Sequence, residues 1–213
     1  MLTASFRSKR MMIRKGQYSI LFVNLAYLAV FGILFFSKRN YEFLLYIGVI
    51  VFFFFVILLT NDRVRYPNEI LWGLTMWGLL HMCGGGIPIG DKVLYGIILI
   101  PVSETYPIVR FDQFVHVVGF GVATLLMYHL LTPLLKPDLK GWTALSIVMV
   151  MAGLGVGALN EVVEFLAVVL VPETGVGGYW NTALDLVADL IGAVFALLYI
   201  RLRYRRPSPK SSH

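Results

Sequence analysis

Apolar residues in this chain run in blocks of helix length, and the polar residues gather between the blocks. Residues 17–36 are almost uncharged, and a helix of about 20 such residues crosses a hydrocarbon layer of about 30 Å. A second block, residues 43–59, contains Phe52-Phe53-Phe54-Phe55 and no charged residue, so it is expected to face lipid. A polar turn at residues 61–68, with Pro67, leads to a shorter apolar helix over residues 70–82. His81-Met82-Cys83-Gly84-Gly85-Gly86 is expected to end that helix, and the three glycines read as a turn, since they lack the lysine and spacing of a phosphate loop. Residues 87–109 carry Pro88, Pro101 and Pro107 around one apolar run, residues 93–102, that is too short to span; this segment is expected to be interfacial or re-entrant. The fourth block begins at Phe111-Asp112 and ends at Thr132-Pro133, the fifth covers residues 142–171, and the sixth covers residues 182–202.

The pattern predicts an all-α polytopic membrane helix bundle with six transmembrane helices. One membrane domain, residues 16–204, follows a basic leader at residues 1–15 and precedes a polar tail at residues 205–213. The first block is expected to be retained, because a signal peptide has a shorter apolar stretch and small residues at its cleavage site, whereas this one runs into Ser37-Lys38-Arg39-Asn40.

Composition narrows the class further. Of 213 residues, 58% are hydrophobic and 14% charged, which excludes an ordinary soluble domain and a disordered chain. The single cysteine, Cys83, excludes an intramolecular disulfide and a multi-thiolate zinc site, so any metal must use His and carboxylate ligands. The net charge is +6, but ten of the eighteen Lys and Arg lie in the first 15 and last 13 residues. Clusters flanking apolar spans fit attraction to anionic lipid heads and do not fit nucleic-acid binding. With six spans, fourteen of the eighteen cations fall on the side of the termini and four, Lys38, Arg39, Lys92 and Arg110, on the other. Both termini are therefore expected in the cytoplasm of an inner or plasma membrane.

Placed by depth, the ionisable residues gather near the outer ends of four helices. His81 closes the third, Asp112 and His116 open the fourth, Glu161 and Glu164 lie ten and seven residues before the end of the fifth, and Asn181, Asp185 and Asp189 open the sixth. Spacings of three or four put each set on one helix face. A charge in hydrocarbon costs at least about 2.5 kcal/mol and is usually functional. The grouping predicts one polar, water-accessible cavity open to the non-cytoplasmic side. Two imidazoles and four or more carboxylates in low dielectric repel unless protonated or compensated, and a divalent cation, zinc or manganese, would compensate them. His81, Asp112, His116, Asp185 and Asp189 are the expected metal ligands, with Glu161 or Glu164 as general base toward water. Arg110, Asn160 and Asn181 are expected to bind substrate.

Plainer readings stand beside these. His81 can be a helix-end hydrogen bonder, Asp112 and His116 can pair simply to lock helices, and Asp185 and Asp189 can cap or pair with Arg110. Gly153, Gly155 and Gly157 read as close helix contact, and Trp142 and Trp180 as interface anchors.

The segments Arg110-Phe111-Asp112-Gln113-Phe114-Val115-His116, Asn160-Glu161-Val162-Val163-Glu164 and Trp180-Asn181-Thr182-Ala183-Leu184-Asp185, with Gly192-Ala193, resemble the YjdF-like family of small prokaryotic inner-membrane proteins. That family's pattern is aromatic-Asp-x-x-x-His, Glu-x-x-Glu and Trp-Asp-Thr-x-x-Asp followed by Gly-Ala, and the match covers residues 80–197. A looser similarity reaches the VanZ-like proteins, associated with glycopeptide antibiotic resistance and the cell envelope, whose Asp-x-x-x-His, Glu-x-x-Gln and Asp-x-x-x-Asn occupy comparable helices. Asn181 stands where the YjdF-like pattern has Asp, which removes one anionic ligand and weakens a two-metal version of the site. Asp189 and Glu164 stand where the VanZ-like pattern has Asn and Gln, which makes this site more acidic. The resemblance implies a shared polar site.

Three functions follow as expectations. The leading one is a metal-dependent hydrolase or transferase acting on a lipid or lipid-linked phosphate or ester of the envelope. The second is a cation- or proton-coupled carrier, which calls for ionisable groups through the inner half. The third is a non-catalytic envelope protein, which calls for Lys or Arg partners at the depth of the acids.

Overall fold

The computed structural model describes residues 13–135 and 141–203; most of the basic leader, residues 136–140 with Lys136 and Lys140, and the polar tail lie outside the described residues. Six long helices follow one another: α1 (Tyr18–Ser37), α2 (Tyr41–Val64), α3 (Asn68–Gly86), α4 (Phe111–Leu131), α5 (Trp142–Leu170) and α6 (Tyr179–Arg203). The described residues are thus all-α apart from a two-residue hairpin, β1 (Pro88–Ile89) and β2 (Lys92–Val93), turned at Gly90 with φ 58°.

All of the helices but α3 are long and apolar enough to cross a membrane. The exception opens on Asn68-Glu69 and ends on His81 and three glycines, which dilutes its hydropathy. The expected stop at the glycines is corrected: α3 runs through Gly84, Gly85 and Gly86, and their bare α-carbons admit neighbouring rings. A β-carbon on Gly84 would meet the Tyr95 ring at 2.5 Å, and one on Gly86 the Phe31 ring at 2.6 Å. The second helix ends five residues later than expected, at Val64, because its polar last turns have partners. Asn61 Nδ2 donates to Gln17 Oε1 (2.7 Å), and Thr60 Oγ1 bonds the Tyr66 hydroxyl (2.8 Å).

Residues 87–110 form no helix of spanning length. After the hairpin comes a 3-10 turn (Leu94–Gly96), and the chain then returns by pairing Ile98 with Arg110. Leu99 N–H donates to Val109 C=O (2.8 Å) and Phe111 N–H to Ile97 C=O (2.9 Å), while Ile98, Leu99, Ile100 and Val102 stay exposed.

Helices α4 and α6 make the closest backbone approach. A β-carbon on Gly192 would meet the Val117 carbonyl oxygen and, at 2.9 Å, the Gly121 nitrogen; one on Gly121 would meet the Gly192 oxygen at 3.2 Å. Small residues at such a crossing let helices pack without a hydrophobic driving force between them. Gly153 and Gly157, four apart on one face of α5, press on Thr124 of α4 and Asp189 of α6, whereas Gly155 faces open space and makes no helix contact. Much of the remaining surface is apolar, including Phe52, Phe53 and Phe55 of α2 and Val162, Phe165 and Leu166 of α5. At the end of the bundle where α5 starts and α6 finishes, Arg201 Nη2 donates to Ser146 Oγ (2.8 Å).

Candidate functional site: a buried carboxylate and histidine cluster

Five helices deliver polar side chains to the opposite end of the bundle. Local sequence fixes the entry of α4: Gln113 Oε1 accepts from Arg110 N–H (3.1 Å), its Nε2 donates to Pro107 C=O (3.0 Å), and Asp112 Oδ1 accepts from Gln113 N–H (2.7 Å). These bonds satisfy donors that a helix start leaves open and fix the first turn. One turn on, His116 Nδ1 hydrogen-bonds Asp189 Oδ1 at 2.9 Å, with the carboxylate fully buried. An ionised Asp189 can only accept, which puts the shared proton on Nδ1 and turns Nε2 toward Glu164. Glu161 Oε1 lies 3.9 Å from His116 Nδ1, and Glu164 Oε1 lies 4.0 Å from Nε2.

Arg110 is shared by two helices: Nη2 lies 3.2 Å from Asp112 Oδ2 and Nη1 donates to Asn181 Oδ1 at 3.2 Å. Asn181 Nδ2 in turn donates to Asp185 Oδ2, and Asn160 Nδ2 donates to Glu164 Oε1 (2.9 Å). Each of the ten residues expected from sequence therefore lies in or beside one cluster, but they do not all meet. Two groups offer ligand atoms within 4.8 Å of one another: His116, Glu161 and Asp189, and Glu161, Glu164 and Asp185. Glu161 is common to both. His81 and Asp112 belong to neither group, and Asp112 pairs with Arg110 instead.

His81 is held otherwise. Its Nδ1 is hydrogen-bonded by the Tyr95 hydroxyl, and its ring stacks near Trp77, Tyr46 and Phe43. Burial, reinforced by the Glu164 and Asp112 carboxylates, pushes the Tyr95 hydroxyl well above the ordinary tyrosine range.

A cavity of about 50 Å³ lies between these groups, lined among others by Glu42, Tyr46, His81, Arg110, Glu164 and Asp185. That is room for a few waters or an ion with its waters, far below the roughly 300 Å³ at which pockets enclose drug-sized ligands. Six buried or nearly buried carboxylates, Glu42, Asp112, Glu161, Glu164, Asp185 and Asp189, face one guanidinium, Arg110, and two imidazoles. Among the described residues, both oxygens of Glu161, Oδ1 of Asp185 and Oδ2 of Asp189 are buried without a hydrogen-bond partner within 3.5 Å. Such orphaned acceptors are costly unless protonated or bound to a cation.

A family model described as "Predicted membrane protein (DUF2238)" matches residues 19–206, nearly the whole chain. The chain belongs to this family. DUF2238 membership agrees with the YjdF-like resemblance and makes the protein an integral membrane protein with several apolar helices; the likeness to VanZ-like proteins rests on the three short motifs alone. No curated protein and no solved structure matches the chain.

Sequence reading of this DUF2238 chain missed Glu42, Tyr46 and Tyr95. Glu42 sits in the first turn of α2, where an acid ordinarily complements the helix dipole, so nothing in its position marks it. Here its Oε2 accepts from Gly175 N–H (2.6 Å), tying the α5–α6 loop over the cavity beside Val176 and Gly177. Tyr95 carried no signal at all, since only the hairpin and 3-10 turn bring it under His81.

Proposed function

We propose that this protein is a metal-dependent hydrolase or transferase of the inner or plasma membrane, acting at the outer leaflet on a phosphate or ester of a lipid or lipid-linked envelope substrate. The observation that carries the reading is the set of buried carboxylate oxygens on Glu161, Asp185 and Asp189 with no hydrogen-bond partner within 3.5 Å among the described residues, of which Asp185 lines a cavity of ionic size together with Glu164 and His116. The donor set, one imidazole with carboxylates and no thiolate, suits zinc or manganese. Glu161, common to both ligand groups, is the central ligand, with Asp185 beside it, and His116 turns its Nε2 toward Glu164, 4.0 Å away, to complete the set. Asp189 holds the imidazole ring from behind. Glu164, oriented by Asn160, is the general base toward water. When bound, the cation would supply Lewis-acid polarisation of a phosphoryl or acyl oxygen. Arg110, held by Asp112 and Asn181, faces the cavity as the binding group for an anionic substrate. So small a cavity admits only the reacting group of a lipid substrate, with the acyl chains left in the bilayer beside it.

The topology in this proposal has six spans and cytoplasmic termini. In its favour, α3 starts beside Arg14, Lys15 and Arg203 at one end of the bundle and carries His81 into the cluster at the other, so it covers the same height as its neighbours. An even number of spans also keeps the Lys and Arg bias on one side. The exposed run from Ile98 to Val102 supports an interfacial path for residues 87–109. A carrier is disfavoured because, among the described residues, the inner half of α4–α6 offers Thr124, Ser146, the closing Arg201–Ser146 bond and one imidazole, His129, bonded to the Val64 carbonyl, in place of a relay of acids.

Metal analysis of the purified protein tests the reading. The parent is expected to hold stoichiometric zinc or manganese, and His116→Ala and Glu161→Gln to lose it. Glu164→Gln is expected to keep the metal and lose release of phosphate or acyl groups from lipid substrates. A parent without stoichiometric metal, or variants that all retain it, overturns the proposal.

A further inference from the structure

A second cavity, of about 430 Å³, opens at the far end of the bundle and shares no residue with the carboxylate cluster. It is lined by Arg14, Lys15, Tyr66, Pro67, Glu69 and Arg203, together with Asn68. Among the described residues, three cations thus converge from two distant stretches of chain, the segment before α1 and the last turn of α6, against one acid. Arg14 is fixed in place: its Nη2 donates to Tyr66 C=O and, at 3.4 Å, to Asn61 Oδ1, while its Nε is buried with no partner within 3.5 Å among the described residues. The start of α3, at Asn68, borders the same space and adds the positive end of its dipole. The cavity is some eight times larger than the carboxylate one and falls in the size range of ligand pockets. It also sits where the apolar lengths of α1 and α6 give out, which is the depth of lipid head groups.

We infer that this basic cavity binds a phosphate-bearing anion, the head group of an anionic phospholipid of the adjoining leaflet or free phosphate. Arg14, Lys15 and Arg203 supply the charge, and Asn68 supplies an amide at its rim. The inference is independent of the metal reading, since it uses neither the same residues nor the same end of the molecule.

Titration of the full-length protein in neutral detergent separates the two sources. The probes are dioctanoyl phosphatidylglycerol, dioctanoyl phosphatidylcholine and inorganic phosphate, read by calorimetry or native mass spectrometry. Phosphatidylglycerol is expected to bind at least tenfold tighter than phosphatidylcholine, with affinity that falls as salt is raised. Inorganic phosphate binding in place of the lipid assigns the site to free phosphate. The double variant Lys15→Gln, Arg203→Gln leaves the Arg14 bonds intact and is expected to weaken binding of the preferred anion at least tenfold at unchanged melting temperature. Glu69→Gln is expected to strengthen it severalfold. Equal binding of both lipids without phosphate binding, or a double variant that binds as the parent does, overturns the inference.

Discussion

Replacing Asp189 by Asn separates a functional cluster from a merely structural one. The substitution keeps the shape of the side chain and an oxygen to accept from His116 Nδ1, 2.9 Å away, but removes a fully buried negative charge. In the absence of metal, that charge opposes its neighbours. Two unit charges 4.8 Å apart, the outer limit of the ligand groups, repel by about 3.5 kcal/mol at an effective dielectric constant of about 20. Losing this repulsion offsets the loss of a charge-assisted hydrogen bond of about 1.5–3 kcal/mol, so the metal-free variant is expected to be as stable as the parent or more so. With metal the sign reverses. A carboxylate behind a ligating imidazole raises its basicity, and removing such a partner weakens metal affinity about 10- to 100-fold, or about 1.4–2.7 kcal/mol. The assay is competition for zinc or manganese against a fluorescent chelator, paired with thermal unfolding in the same detergent with and without metal. A metal-free variant destabilised by about 2 kcal/mol or more with unchanged metal affinity would refute the reasoning and leave Asp189 as a helix lock.

Three further perturbations test other parts of the structure. Gly192→Ala forces a methyl group against the Val117 carbonyl and the Gly121 nitrogen; the α4–α6 crossing is expected to loosen at a cost of about 1–3 kcal/mol, read as a lowered melting temperature. Glu42→Gln weakens the 2.6 Å bond from Gly175 N–H, and the loop between α5 and α6 is expected to be cut faster in limited proteolysis while the helices stay protected. Tyr95 is held protonated by burial, whereas in the unfolded chain a tyrosine ionises near pH 10. The unfolded state then binds fewer protons than the native one, so stability is full below about pH 10 and falls above it, by up to about 1.4 kcal/mol per pH unit for this group. Tyr95→Phe should make the decline shallower, and an unchanged decline would remove Tyr95 from the account.

The helices were legible because apolar blocks of spanning length leave the backbone few other options in a membrane. Their boundaries were legible less well: polar residues such as Thr60 and Asn61 look like loop until their partners in Gln17 and Tyr66 are known, and Gly84–Gly86 look like a stop until Phe31 and Tyr95 are seen filling the space beside them. The cluster could be located because i, i+3 and i, i+4 spacing fixes which acids share a helix face, and depth along each span fixes which faces meet. Pairings could not be read this way. Nothing in the spacing of Asp112 and His116 says that the imidazole bonds Asp189, seventy-three residues away, while Asp112 turns to Arg110. Glu42 and Tyr95 were invisible for a related reason, since their place depends on how loops fold back over the helix ends.

Gly157 has a consequence for how this site can change. Its α-carbon lies against the Asp189 carboxylate, and a β-carbon there would overlap both the carboxylate oxygen and its stem. Every amino acid other than glycine would begin by evicting the anion that orients His116, so no codon one step away offers a milder version. Directed evolution of the pocket can vary its walls and its lid, but at this position it meets a floor it cannot lower.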